Sequence, residues 1–138
     1  RDTPPDSGVG YLEQLLHHPL WVTRPKGWLL ASLSGRYFTM DRDQRWDRID
    51  RATAVLWGQA PVDPRDPLLV LRDHYSREPK GDEFFPPTLL ASEGAIAPGD
   101  RVFFFNFRSD RARQVSARLN DPKSPRLSAF LGMTLYDG

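Results

Sequence analysis

Apolar residues recur every three or four positions in four stretches of this sequence. This spacing is typical of helices that turn one face toward a core. The second stretch shows it most clearly, because Trp46, Ile49, Thr53 and Leu56 fall on one stripe. Pro19 ends the first stretch, and Ser109 or Asp110 is expected to cap the last. The pattern predicts four helices. The first and third lie at about residues 8–18 and 64–76, the second runs from a cap at Asp41 or Asp43 to a stop at Gly58, and the fourth follows its cap and reaches Leu119.

Short, nearly continuous apolar runs lie between these helices, at residues 28–33, 102–105 and 130–136. Such runs are typical of buried strands, and strands that alternate with helices favour a parallel sheet. The segment 77–88 is rich in Pro, Gly and charge and is predicted to be an ordered loop. We therefore predict a three-layer α/β/α fold with a mainly parallel sheet, truncated at its N-terminal side.

Length and composition narrow the class of protein. The 138 residues suit one domain, and 12% aromatic residues disfavour disorder. The longest apolar run is too short to span a bilayer. A net charge of +1 argues against a nucleic-acid or membrane partner. The absence of cysteine excludes disulfides and thiolate metal sites, and we expect a cytoplasmic protein.

Arginine dominates the positive charge, at 16 of the 19 basic residues. In parallel α/β sheets, ligands bind where strands turn into helices. Three such turns carry arginines here, and helix N-termini add amide donors for an anion. The sequence predicts a pocket for a small, multiply anionic ligand, with Asp2 as the nearby carboxylate and with Arg1, Arg36, Arg42, Arg108 and Arg111 as its cations. The alternative is that these arginines pair at the surface with Asp41, Asp43, Asp47, Asp100 and Asp110.

Other chemistry has little support in the sequence. The three histidines, His17, His18 and His74, lack the spacing of a metal site, so no metal is predicted in this chain. Asp82 and Glu83 could form an acid and base pair, although such a pair more often anchors a turn.

Several blocks resemble the cofactor-independent (2,3-bisphosphoglycerate-independent) phosphoglycerate mutases. They are RDTPP at residues 1–5, SGRYFTMDRDQRWDR at 34–48, DEF at 82–84 with PT at 87–88, and FNFRSDRARQ at 105–114. The order and rough spacing match over essentially the whole chain. Leu135 stands where the family's MTEYD block has Glu.

The resemblance implies an isomerase of glycolysis that interconverts 3-phosphoglycerate and 2-phosphoglycerate. Such enzymes have an alkaline-phosphatase-like domain, with a serine nucleophile and two manganese ions, and an inserted α/β substrate-binding domain. Residues 1–138 look like an incomplete form of the second domain. By matching motifs, Arg1, Asp2, Arg36, Arg42, Arg108 and Arg111 contact substrate, and Asp2 also handles the proton of the glycerate hydroxyl.

Two features indicate a piece of a longer protein. The chain opens on Arg1-Asp2 without a methionine, and the motifs for the serine nucleophile and the manganese ligands are absent from it. We therefore expect this chain to bind no cofactor itself and to be inactive alone. The phosphatase-like domain and phosphoglycerate are its expected partners. The alternative is a stand-alone, non-catalytic anion-binding module.

Overall fold

The computed structural model describes residues 3–77 and 81–136. The helices are α1 (Gly8–His17), α2 (Pro19–Val22), α3 (Arg36–Thr39), α4 (Trp46–Leu56), α5 (Pro67–Arg77) and α6 (Ser109–Leu119). The strands are β1 (Ser32–Leu33), β2 (Thr88–Leu89), β3 (Arg101–Phe104) and β4 (Ala129–Gly132). Two short 3-10 turns lie at Asp82–Phe84 and Ser92–Gly94. The mixture of helices and strands confirms the predicted α/β class.

Strands β3 and β4 pair in parallel, and α6 connects them. One face of the pair turns Phe104 and Phe130 toward the helices, whereas Phe103 and Leu131 on the other face are exposed. The alternation follows from the two-residue period of a strand. This β–α–β unit is the parallel element that the sequence pattern predicts.

Strands β1 and β2 instead pair antiparallel, over two residues each. In the described part of the chain, the strands form two separate two-stranded sheets and no continuous parallel sheet. Only the end of the apolar run 28–33 enters the ladder, and Trp28 at its start is 63% exposed. The pairing is prolonged by the carbonyl of Ala31, which accepts from the amide of Leu90 at 2.7 Å.

Two apolar clusters hold the helices. The first lies around α1 and α5 and contains Leu12, Val70, Leu71, Phe85 and Leu90. The second joins α4 to α6 through Ile49, Val115 and Leu119, and the inner face of the β3–β4 pair packs against it. The single-turn helix α3 contacts α4, α6 and the 3-10 turn Asp82–Phe84.

The helix boundaries differ from the prediction at three points. Helix α4 begins at Trp46, and Arg45, rather than Asp41 or Asp43, occupies its capping position. Pro19 ends α1 but also begins α2, because a proline is tolerated at the first position of a helix. The prediction that Ser109 or Asp110 caps the last helix was wrong, since α6 begins at Ser109 and Arg108 occupies the capping position. The Asp110 carboxylate is engaged by arginines instead.

Among residues 3–77 and 81–136, no helix is long and apolar enough to cross a membrane.

Candidate functional site

The turn after β1 brings Arg36 to the first position of α3. Gly35 precedes it, and its amide donates to the carbonyl of Phe85 at 2.8 Å. A Cβ at Gly35 would lie 2.4 Å from the carbonyl oxygen of Glu83, so only glycine fits here. The Arg36 guanidinium pairs with the Glu83 carboxylate at 2.8 Å, and both side chains remain about 40% exposed, at 38% and 42%.

The N-terminus of α6 holds a second group of arginines. Asp110 accepts from the Arg108 Nε at 2.9 Å and from an Arg42 nitrogen at 3.2 Å. The hydrogen bond from Arg108, with a further contribution from Arg42, holds the pKa of Asp110 below its ordinary value. The two arginines share one carboxylate, so their positive charge is only partly compensated.

Arg111 ties this group to α3. Its Nη1 donates to the carbonyl of Met40 at 2.8 Å, directly after the last residue of α3. Since a helix rises about 1.5 Å per residue, Arg36 and Met40 lie only about 6 Å apart along the axis. The turn after β1 and the turn after β3 therefore meet at α3, although their strands belong to different sheets.

A cleft of about 440 Å³ opens beside α3. Arg36 and Met40 line one part of it, and Asp82 and Glu83 line another. The segment Thr3–Pro5 forms a further wall. Among the described residues, Arg36 thus lines the cleft together with the carboxylates of Asp82 and Glu83, and Arg111 reaches the carbonyl of Met40, another residue of the lining. Arginine's fixed fork of donors suits the carboxylate and phosphate of a small anion.

Asp41 organises the loop between α3 and α4. The side chain is 4% exposed, and its Oδ2 accepts from the amides of Asp43 and Arg45, both at 2.9 Å. Burial acts to raise the pKa of Asp41, but these amides, with Gln114 and Arg48, hold it below its ordinary value. A buried, ionised Asp41 thus fixes the loop that presents Arg42.

Asp82 connects the cleft to α1 and α5. One carboxylate oxygen accepts from the Gly8 amide at 2.8 Å, and the other accepts from the Tyr75 hydroxyl. Burial raises the pKa of Tyr75, and the hydrogen bond to Asp82 raises it further. Tyr75 therefore stays protonated and donates to Asp82. Both Asp82 oxygens are occupied, which is the pattern of an anchor for a turn.

The predicted cations divide into three groups. Arg42, Arg108 and Arg111 come together at the start of α6. Arg36 lies at the other end of α3 and lines the cleft. Arg1 and Asp2 lie outside the described residues, and the roles expected of them stay predictions. The alternative of surface pairing also has support, since Asp110 is one of the carboxylates that it names.

The sequence did not reveal that Met40 and Tyr75 belong to this region. A main-chain carbonyl leaves no signal in a sequence, and a tyrosine in an amphipathic helix looks like ordinary core. The neighbouring pair Asp82 and Glu83 is visible in the sequence, but two of its partners, Gly8 and Arg36, lie in distant segments.

No group of three or more His, Asp or Glu side chains is placed to hold a metal ion in residues 3–77 and 81–136. These described residues therefore offer no set of ligands for the two manganese ions that the resemblance implies. His74, for example, contacts the carbonyl of Gly81 at 3.1 Å.

The fold and the site together define an α/β domain with a cleft of about 440 Å³ beside α3, lined by Arg36 and two carboxylates. The family model described as BPG-independent PGAM N-terminus matches residues 1–138, and the chain belongs to this family.

Curated relatives agree with this assignment. A 2,3-bisphosphoglycerate-independent phosphoglycerate mutase of Picosynechococcus sp. is 45% identical over 121 residues, covering 88% of this chain and 22% of that protein. The protein of the same name in Myxococcus xanthus is 41% identical over 152 residues, covering 99% and 28%. One from Legionella pneumophila is 39% identical over 150 residues, again covering 99% and 28%. The chain thus spans about a quarter of the length of these relatives.

Proposed function

We propose that this chain is the substrate-binding part of a 2,3-bisphosphoglycerate-independent phosphoglycerate mutase. The whole enzyme interconverts 3-phosphoglycerate and 2-phosphoglycerate in glycolysis, in the cytoplasm, through a phosphoserine on another domain. Family membership and the names of the relatives support this proposal. The observation that supports a site is the position of four arginines at the two ends of α3. Arg36 begins the helix and lines the cleft, and Arg111 bonds the carbonyl of Met40 just after it, next to the pair of Arg42 and Arg108 on Asp110.

The chemistry of the substrate fits this arrangement. Phosphoglycerate carries a carboxylate and a phosphate, and both are acceptors for bidentate arginine. During the reaction the glycerate must be held while its phosphoryl group leaves and returns to the other hydroxyl. Several guanidinium groups on one rigid helix junction retain the molecule while it reorients.

In this proposal Asp2 is the catalytic carboxylate, which exchanges a proton with the glycerate hydroxyl. Arg1 is a further residue that contacts the substrate. Both precede Thr3, which lines the cleft. The described residues offer no ligand set for manganese, so the two ions are assigned to the phosphatase-like domain. We expect residues 1–138 alone to show neither mutase nor phosphatase activity.

The test replaces the arginines one at a time in the full-length polypeptide that carries this chain. Arg36→Ala and Arg108→Ala should each raise the KM for 3-phosphoglycerate about tenfold or more, because each removes a charge-assisted hydrogen bond to the substrate. Arg65→Ala is the matched control, since Arg65 pairs with Asp63 and Asp73 away from the cleft. Steady-state kinetics measures the effect.

Unchanged KM values in both arginine variants would show that these arginines only form ion pairs at the surface. The chain would then be a structural domain without a substrate site. A full-length polypeptide that binds phosphoglycerate through these arginines, but converts none, would favour the stand-alone anion-binding module.

A further inference from the structure

The segment Gly81–Phe85 lies between two walls of the cleft and contacts both of them. On one side, the amide of Asp82 donates to the carbonyl of Pro5 at 2.7 Å. On the other side, the carbonyl of Phe85 accepts from the amide of Gly35 at 2.8 Å. The position of Thr3–Pro5 relative to Arg36 is therefore set by this segment.

The contacts that Gly81 and Asp82 make with residues 5 and 8 are closely fitted. Gly81 has a positive φ of 78°, and a Cβ there would lie 2.1 Å from the carbonyl oxygen of Pro5. A Cβ at Gly8 would lie 2.5 Å from a carboxylate oxygen of Asp82. The main chain at residues 5 and 8 thus approaches the Asp82 turn as closely as glycine allows.

The Asp82 side chain binds the start of α1 and lines the cleft at the same time. It accepts from the Gly8 amide and from the Tyr75 hydroxyl, which itself accepts from the Val9 amide at 3.3 Å. The carboxylate and the phenol together satisfy two of the amides that the first turn of a helix leaves unpaired. They also fix where the preceding segment, residues 3–7, enters the cleft.

We infer that Asp82 is a positioning residue for the proposed site, fastening the N-terminal segment against the turn that bears Arg36. This inference rests on the proposed function, because the segment it fastens is the one that follows Arg1 and Asp2. Asp82 acts through the placement of residues 3–7, because its two oxygens accept from the Gly8 amide and the Tyr75 hydroxyl and so hold the start of α1 against the turn.

The experiment compares Asp82→Asn and Asp82→Ala in the full-length polypeptide. The side chain of Asp82→Asn keeps one oxygen that can accept from the Gly8 amide, but it lacks the second oxygen, which accepts from Tyr75. Asp82→Ala removes both acceptors. We expect kcat/KM for 3-phosphoglycerate to fall about tenfold in Asp82→Asn and about a hundredfold in Asp82→Ala. A displacement of about 1 Å in the residues around a substrate can lower the rate by about a hundredfold. Asp66→Asn is the control, because Asp66 also accepts from two backbone amides, those of Leu68 and Leu69, at the start of α5.

Amide hydrogen exchange gives a readout that does not depend on turnover. Exchange at Gly8 and Val9 should accelerate in both Asp82 variants and remain unchanged in Asp66→Asn. Kinetic losses no larger than those of the control, or unchanged exchange at Gly8, would overturn the inference. An inactive wild-type polypeptide would instead refute the proposed function, and the exchange measurement would still decide whether Asp82 fastens the segment.

Discussion

Single carboxylates set the geometry of this domain, and Asp41 shows how. A buried aspartate is costly unless its charge is satisfied, and here two backbone amides at 2.9 Å satisfy it. The same contacts hold residues 41–45, which include Gln44 in a left-handed conformation at φ 58°. The position of Arg42 thus depends on the buried charge of Asp41.

The lowered pKa of Asp41 predicts a dependence of stability on pH. The folded pKa lies below the ordinary value of 3.8, so the ionised side chain contributes stability that is complete above that value. The contribution is lost as the pH falls through the folded pKa. Asp41→Asn should lower the free energy of unfolding by about 1–3 kcal/mol at pH 7, since it weakens hydrogen bonds to a charged group.

The measurement is urea unfolding at pH 7 and at pH 3. The difference between the wild type and Asp41→Asn should shrink at the lower pH, because below the ordinary value of 3.8 the unfolded chain binds a proton at Asp41 and the folded chain resists it. Asp43→Asn serves as the control, because Asp43 is exposed. A difference that stays constant between the two pH values would contradict this account.

At the scale of elements, helix α5 illustrates how a boundary is encoded. Asp66 accepts from the amides of Leu68 and Leu69 through one oxygen, and Pro67 occupies the first helical position. Aspartate at the cap and proline next to it are the residues that helix starts favour. The observed start therefore lies three residues after the predicted one.

Removing this cap gives a prediction confined to one element. Asp66→Ala should destabilise the domain by about 1 kcal/mol, because two amides of the first turn lose their partner. Asp66→Ser should recover most of the loss, since a hydroxyl also caps well. Thermal unfolding of the two variants measures this, and equal melting temperatures for alanine and the wild type would contradict it.

Some elements of this fold could be predicted from the sequence and others could not. Helix α4 and the β3–α6–β4 unit were predictable, because their apolar spacing agrees with the packing, although the residues at their helix caps did not reveal the starts. The antiparallel β1–β2 pair was not, since its strands are two residues long and lie more than fifty residues apart. The positions of Arg36 and of the α6 arginines at the two ends of α3 depend on the tertiary arrangement, so the sequence could name these residues but not show where they lie relative to one another.

At the scale of the whole molecule, two apolar clusters are joined through α3. Phe38 in this helix is 7% exposed, and α3 contacts α4, α6 and the 3-10 turn beside the first cluster. Removing a buried phenylalanine side chain costs about 3–5 kcal/mol. Phe38→Ala should therefore weaken the connection between the clusters as well as lower the stability.

Unfolding in urea, followed by two probes, tests this coupling. With Trp21 and Trp28 changed to Phe, fluorescence reports on Trp46 and Trp57, which pack on the second cluster. In the parent chain this signal and the far-ultraviolet circular dichroism should change together, and in Phe38→Ala the two curves should separate. Coincident curves in the variant would show that the clusters are joined elsewhere.

The bond from Arg111 to the carbonyl of Met40 has a consequence for the energetics of ligand binding. An anion held at the junction of α3 and α6 would act as a removable cross-link, present only when the site is filled. By mass action, a ligand at a hundred times its dissociation constant adds about 2.7 kcal/mol to the folded state. Under the proposed function, the substrate would then set how firmly the two parts of its own binding domain are held together.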